Sequence, residues 1–333
     1  MRFPEGIAAQ PSVLAHSAAT VRAALEAVAP LPSRAVVALT GIGASEHIAR
    51  SAATAWRGDG LRAVAVSASE PEDGDRAGLA DVHVALSESG RSAETVAAMS
   101  RTASRGVRRI GVTNGPDSPL AAVVDEVVPL DSGPDSPVYT TGYSATLQAV
   151  GLLGEHWSGR ATDWSALPGL AAEVLRAGEA AVGAVVDRFD RARLVDVVGS
   201  GTASATAGEG ALVLREAARA HTAQHETYNY LHGPMEPLDE QTACLVVGDG
   251  REVRLARDVS ALGCATLLLT TRDDVDSDGA LQVLRLPATG SPLAAAVLQM
   301  LPVQLLAWQL ACRRGLAVDG FRYHQDDTKL VAG

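Results

Sequence analysis

Short runs rich in Val and Leu alternate along this chain with longer Ala-rich stretches whose apolar residues recur at helical spacing. Brief apolar runs bounded by turn residues read as strands buried on both faces. Joined by crossover helices, they predict parallel sheets in an α/β fold. In the first half the predicted strands are RAVVALTG, LRAVAVSA, VHVALS, VRRIGVTN and DEVVPL, and a long helix covers Thr141 to His156. The polar, Gly- and Pro-bearing stretch SGRATDWSALPG marks a domain boundary, giving one domain over 1–160 and a second over 161–333. The second half opens with a long helix and the strand RLVDVVGSG, followed by a helix from about Ala207 to Gln224. Strands ACLVVGDG, CATLLLTT and LQVLRLP come next, and then a final apolar helix, SPLAAAVLQMLPVQLLAWQLACRRG, which Pro302 is expected to interrupt.

The halves repeat. VVALTGIGAS matches LVDVVGSGTAS, with Gly41 and Gly43 answering Gly199 and Gly201, which predicts duplication of one doubly wound domain. The copies differ at one place: LSESGRSAET in the first half is answered by VVGDGREVRL in the second, where the serines are gone and an aspartate has arrived.

Composition narrows the reading. Of 333 residues, 47% are hydrophobic and 20% charged, which suits a globular protein with enough chain for two cores. The net charge of -11, with no cluster of Lys and Arg, argues against a nucleic-acid partner. Cys244, Cys264 and Cys312 show no metal or redox spacing and read as buried thiols of a reducing compartment. The start MRFPEGIAAQPSVL has no signal-peptide pattern, and no segment is expected to reach the apolar length of a membrane span, so a cytoplasmic protein with no membrane partner is predicted.

The candidate chemistry begins at the hydroxyl loop. A strand-to-helix turn in a parallel sheet presents free N–H groups and the positive end of a helix at the carboxyl edge of the sheet. Ser87, Ser89 and Ser92 add hydroxyls there and Gly90 allows close backbone approach, an arrangement suited to a phosphate monoester. The same letters also fit a helix cap, with Ser92 opening a helix that has Glu94 in its first turn; the residues alone leave both open. GIGASE and GSGTAS lack the third glycine of a dinucleotide fingerprint, so no nicotinamide or other cofactor is expected, and Ser45 is predicted to face the same crevice as Ser87.

In EGALVLREAARAHTAQHETYNYLHGPMEPL, Glu209 and Glu216 are seven apart and share a helix face, where such a glutamate is ordinarily solvated and paired with a neighbour such as Arg215 or Arg219. His221 and His225, with His232 beyond, have spacing that could hold zinc on a helix, but H-E-x-x-H is absent and no metal is expected. LHGP places His232 in a loop stiffened by Pro234.

Four stretches, EGIAAQP, LSESGRSAET, EGALVLRE…HGP and the ending LPVQLLAWQLACRRGLAVDGFRYHQDDTKLVAG, resemble in order and spacing the double sugar-isomerase (SIS) domain proteins. The likeness is greatest to the isomerase part of glucosamine-6-phosphate synthase and its free-standing phosphosugar isomerase and deaminase relatives. The resemblance implies two tandem doubly wound SIS domains. It makes Ser45, Ser87, Ser89 and Ser92 phosphate-binding and places Gly43, Glu88, Val138 and Thr140 around the sugar. It also implies that Glu216 moves a proton between C1 and C2, that His232 opens the sugar ring from a neighbouring subunit, and that Lys329 belongs to a tail closing over substrate. A homodimer or higher oligomer acting on a sugar phosphate is expected. Departures are Glu88 where the synthase has glutamine, with Arg91 as its expected balance, and Val213 where the synthase helix has lysine. With no glutaminase domain ahead of the pair, amide transfer is not expected. The activity so implied is isomerisation or deamination of a hexose or amino-hexose 6-phosphate, with a fructosamine 6-phosphate deglycase or a non-catalytic sugar-phosphate-binding regulator as alternatives.

Overall fold

A computed structural model of the chain describes residues 1–70, 79–103, 106–323 and 325–330. The chain divides into two compact units. The N-terminal unit comprises Ser12–Pro134, Thr141–Ser165 and Arg322–Gly333, so it includes the end of the chain; the C-terminal unit comprises Met1–Pro11, Asp135–Thr140 and Ala166–Phe321. A first helix, α1 (Phe3–Leu25), contributes residues to each.

In the N-terminal unit, β1 (Val36–Gly41), β2 (Arg62–Ser67), β3 (Val82–Leu86), β4 (Arg108–Thr113) and β5 (Glu126–Pro129) form a parallel sheet in the order β2-β1-β3-β4-β5. All five residues of β3 are buried, which is why its run VHVAL shows no polar alternation. Helices α2 (Ala44–Gly58), α3 (Ala93–Thr102) and α4 (Thr141–Ser158) pack around this sheet. The tryptophans Trp56 and Trp164 lie against Gly154 and Gly151 of α4, where a β-carbon would collide with either ring, and Trp56 Nε1 donates to the Val150 carbonyl at 3.1 Å.

The C-terminal unit repeats the arrangement. Strands β6 (Leu194–Gly199), β7 (Thr222–Glu226), β8 (Thr242–Val247), β9 (Ala265–Thr270) and β10 (Leu281–Arg285) form a second parallel sheet in the order β10-β9-β8-β6-β7. Counted from the edge beside the first strand, both sheets read second, first, third, fourth, fifth. In an open sheet of this order, ligands bind at the carboxyl ends of the first and third strands, where the chain reverses direction of travel across the sheet. Helices α5 (Leu167–Arg191), α6 (Thr202–Ala218) and α8 (Arg251–Ala261) pack on this sheet, α9 (Pro292–Arg313) packs on α5 and α6, and a one-turn helix α7 (Thr227–Tyr230) follows β7.

The structure corrects four expectations. The helix expected over Ala207 to Gln224 ends at Ala218, where Arg219 turns left-handed (φ 52°), and Thr222–Glu226 form the edge strand β7. Only Thr222 of that strand is buried, so its letters carry no hydrophobic period. His225 therefore lies on a strand, and the helical i, i+4 spacing to His221 does not apply. Helix α9 runs through Pro302 as one element, with Gly178 of α5 close beside Pro302 and Leu305. The same helix is long and apolar enough to cross a membrane by length and composition, but 72% of its apolar 18-residue stretch is buried within the protein, as for a core helix. Cys244 and Cys264 are buried, whereas Cys312 is exposed on the last turn of α9.

Candidate active site

The hydroxyl loop leaves the carboxyl end of β3 and enters α3. Gly90 has φ 63°, and a β-carbon there would meet the Ser118 and Thr113 hydroxyls, so only glycine fits. Ser92 occupies the N-cap position of α3, yet its side chain makes no cap hydrogen bond. It accepts instead from the Ser87 hydroxyl at 3.2 Å. The letters SAET therefore mark a helix start without spending the hydroxyl on it, and Ser87 and Ser92 are both buried at the mouth of the helix. The Ser89 hydroxyl accepts from the Arg91 N–H at 3.3 Å.

Asn114, which sequence reading passed over, fixes this loop. Its backbone N–H donates to the Glu88 carbonyl at 2.8 Å, and its Nδ2 to Glu88 Oε1 at 3.3 Å and the Gly133 carbonyl at 2.8 Å. Its Oδ1 accepts from the Ser132 N–H at 2.9 Å. The one available signal is its position directly after β4, where a polar residue can bridge adjacent strand ends.

Residues 328–330 dock on the same loop. Lys329 pairs with Ser92 in an antiparallel bridge, flanked by Ala93 N–H to the Thr328 carbonyl at 3.2 Å and Leu330 N–H to the Arg91 carbonyl at 2.9 Å. The Arg91 Nε also donates to the Leu330 carbonyl at 2.7 Å. Lys329 Nζ thereby reaches Ser89 Oγ and Ser92 Oγ, each at 3.3 Å. Burial pushes the Lys329 pKa down, while Glu88 and Glu94 pull it the other way. The ammonium and the Ser89 and Ser92 hydroxyls thus converge at the N-terminus of a ten-residue helix, a collection of donors and positive potential suited to an anion.

Gly41, Gly43 and Ser45 form the turn after β1. A β-carbon on Gly41 would collide with Ser45, and Gly43 has φ 57°; the corresponding Gly199 and Gly201 show the same crowding and φ 59°. Ser45 is largely buried in the first turn of α2.

The remaining candidates belong to the C-terminal unit. Glu216 is on α6, and burial pushes its carboxyl pKa up to about 7. Glu209, two turns earlier, is 2% exposed; burial, and then the proximity of Glu216, raise its pKa well above the carboxylate range, and Oε2 has no hydrogen-bond partner among the described residues. Among the described residues the expected pairing with arginine is not made: Arg215 donates to the Thr222 carbonyl, and Arg219 is the left-handed residue at which the helix ends. His232 is exposed in the turn after α7. Val138 and Thr140 are fully buried, with Thr140 Oγ1 donating to Asp135 at 2.6 Å.

Residues 33–154 match the family model of the SIS domain. The glutamine–fructose-6-phosphate aminotransferase (isomerizing) of Thermus thermophilus is 30% identical over 256 residues, 71% of this chain and 42% of that protein. The enzyme of the same name from Gloeobacter violaceus is 31% identical over 263 residues with the same coverage. The chain thus spans about two fifths of the length of these relatives. Among solved structures, glucosamine-6-phosphate deaminase from Thermotoga maritima superposes with a TM-score of 0.81 at 21% identity, covering 98% of each chain. Tagatose-6-phosphate ketose/aldose isomerase from Escherichia coli gives 0.78 at 18% identity, covering 97% of each. The chain carries a SIS domain over residues 33–154 and has the fold of the SIS-type phosphosugar isomerases.

Proposed function

We propose that this protein is a cytoplasmic, homo-oligomeric phosphosugar isomerase built from two SIS domains, 1–160 and 161–333, and acting on a hexose or amino-hexose 6-phosphate. The observation that carries the proposal is the convergence of Ser89, Ser92 and Lys329 at the start of α3, with Ser92 free of capping duty. These groups, with Ser87 and Ser45, take the phosphate, whose binding energy orients the reacting carbons. His232, offered by a neighbouring subunit, assists ring opening. Glu216 as carboxylate then removes the proton from C2 of the open-chain aldose while O1 gains one, and returns it to C1 of the cis-enediol while O2 loses one, giving the ketose. Where C2 bears an amine, the same transfer gives a C2 imine, and water hydrolyses it to the ketose and ammonia. A carboxyl with a pKa near 7 is well matched to this task, because it is part-ionised at neutral pH and also basic enough to take a carbon-bound proton.

The names of its structural relatives, a deaminase and a ketose/aldose isomerase, fit both branches. The test is incubation in deuterium oxide with a panel of hexose, amino-hexose and fructosamine 6-phosphates, following C2 hydrogen exchange, ketose formation and ammonia release. Exchange with ketose alone identifies an isomerase, and exchange with ammonia a deaminase. Release of a free amine from the fructosamine identifies a deglycase. Tight binding of a sugar phosphate with no exchange on any of them would leave a non-catalytic sensor and overturn the proposal.

A further inference from the structure

Beneath the turn that carries His232 lies a buried polar cluster for which phosphate binding and enolisation have no use. Asp196, in the middle of β6, is 3% exposed. Its Oδ2 accepts from the Tyr230 hydroxyl at 2.7 Å, and His225 Nε2 of β7 lies 3.4 Å from its Oδ1. The His225 and Tyr230 rings are in contact, with centroids 4.7 Å apart and planes inclined by 37°. Tyr230 is fully buried in an apolar cluster that includes Cys244, Cys264, Val246 and Leu268, with Leu231, Met235 and Leu238 of the following turn packed on it. Burial pushes the Tyr230 pKa up, so the hydroxyl keeps its proton and remains a donor to Asp196.

A carboxylate at the centre of a sheet is costly to bury, and apolar side chains would fill the same space at lower cost. What the cluster supplies is a fixed address for Tyr230. From that residue the chain turns through His232, whose N–H donates to the Asn229 carbonyl at 3.0 Å, and returns with the Met235 N–H on the Tyr230 carbonyl at 3.3 Å. At the other end of α7, Glu226 caps the helix by accepting from the Asn229 N–H at 2.9 Å. Both ends of α7 are thus tied down, and the Tyr230 hydroxyl links it to the sheet through a buried carboxylate.

We propose that Tyr230 and Asp196, with His225 packed against them, are positioning residues that hold the His232 turn in its working place. This rests on the assignment of His232 to ring opening. Their loss is expected to damage ring opening and to spare the later proton transfer.

The test uses Tyr230→Phe in the full chain, a change that retains the ring and removes only the hydroxyl. Amide hydrogen exchange over 227–238 should accelerate in the variant while that of β6 and β8 stays as in the unaltered protein. Turnover of a ring-closed hexose 6-phosphate should fall by roughly tenfold or more with KM little changed, the scale on which small misplacements act. A 5-deoxy-2-ketohexose 6-phosphate, which has no C5 hydroxyl with which to close a furanose ring, should still exchange its enolisable hydrogen within about twofold of the unaltered protein. Asp196→Asn, which keeps an acceptor for the Tyr230 hydroxyl, should retain the protection of 227–238. Unchanged exchange over 227–238 in Tyr230→Phe would overturn the positioning role whatever the enzyme's substrate. Equal loss on the cyclic and acyclic substrates would overturn the link to ring opening. If neither substrate reacts even with the unaltered protein, the functional assignment fails, and amide exchange still decides the role of the cluster.

Discussion

Residues 86–93 and 246–253 occupy the same place in two similar sheets, each leaving the third strand and entering the next helix, and they treat negative charge in opposite ways. In the first loop, Ser89 and Ser92 stand at the helix start, both hydroxyls accepting from Lys329 and that of Ser92 also from Ser87. In the second, the corresponding positions are Asp249 and Glu252. Glu252 is 2% exposed, and its Oε2 accepts from the Gly250 N–H at 3.1 Å, the kind of donor that an incoming anion would need. Asp249 is taken up by Thr270 and Thr271, with three hydrogen bonds of 2.6 to 2.8 Å, and these outweigh its burial and hold its pKa low. The protein's own carboxylates thus fill the second loop. A strand-to-helix turn in either sheet has an intrinsic attraction for anions, and in the second it is the protein's own side chains that take up the donors. The C-terminal half carries a different group, the half-buried carboxyl of Glu216 on α6, the helix after its first strand.

If labour is divided in this way, Glu216→Gln should abolish the chemistry and leave phosphate affinity intact. Turnover is expected to fall by about 10²–10⁴-fold, the usual cost of removing a general base. C2 exchange with solvent deuterium should vanish with it, and persistence at the unaltered rate would assign the base elsewhere. In the unaltered protein the carboxylate is the active form, so activity should drop as pH falls through about 7. The stability effect has the opposite sense. With the pKa raised from 4.5 to about 7, the folded chain holds a proton that the unfolded chain has released, so this group's contribution is complete below pH 4.5 and is lost as pH rises through 7. Glu216→Gln should remove that dependence, raising the melting temperature more at pH 8 than at pH 5.

Replacing both Ser89 and Ser92 by Ala tests the other side of the comparison. Charge-assisted hydrogen bonds contribute about 1.5–3 kcal/mol each, so sugar-phosphate affinity should fall by at least about 10²-fold in a calorimetric titration of the folded variant. Unchanged affinity would return these serines to the role of helix-start residues. Lys329→Met removes the ammonium and keeps a similar apolar stem; about a tenfold loss of affinity for inorganic phosphate is expected, shrinking as salt is added. A loss independent of salt would mean that the tail acts through packing alone.

The smallest effect is the most direct check on why the second loop is closed. The unaltered protein should bind one phosphate per chain, and two equivalent sites would show that the second loop is open to anions as well. Asp249→Ser combined with Glu252→Ser should admit a second, weak phosphate, with a Kd on the order of 1 mM or above, since a helix terminus without a cation offers little more. A double variant that still binds one phosphate would show that backbone geometry, and not the acidic side chains, closes the second loop. Gly250 with φ -98° differs from Gly90 with φ 63° at the matching place, so this alternative has a definite structural form.

The strands that lie inside each sheet were plain in the letters because burial on both faces demands continuous Val and Leu. β7 was not, because an edge strand reading TAQHE with one buried residue has neither that run nor an alternating pattern. The hydroxyl loop and its glycine were equally plain, since both requirements are local: donors at a helix start, and a backbone with positive φ. Whether Ser92 caps the helix or faces a ligand could not be read from SAET, because both uses require the same residue at the same place.

Legible in the letters, therefore, were the elements whose residues answer to their immediate neighbours: the parallel strands, the two similar glycine turns, the serine loop and its acidic counterpart. The tertiary structure alone decided the rest. It paired Lys329 with a loop about 240 residues earlier in the chain, a contact no local pattern encodes. It left Glu209 and Glu216 without the arginine partners that their helix offers, and joined Asp196, His225 and Tyr230 from separate elements into one buried cluster. The physical reason is common to all three. A side chain's charge state and hydrogen-bond partners depend on what surrounds it in space, and desolvation, which raises Glu216 to about 7, has no expression in the order of residues.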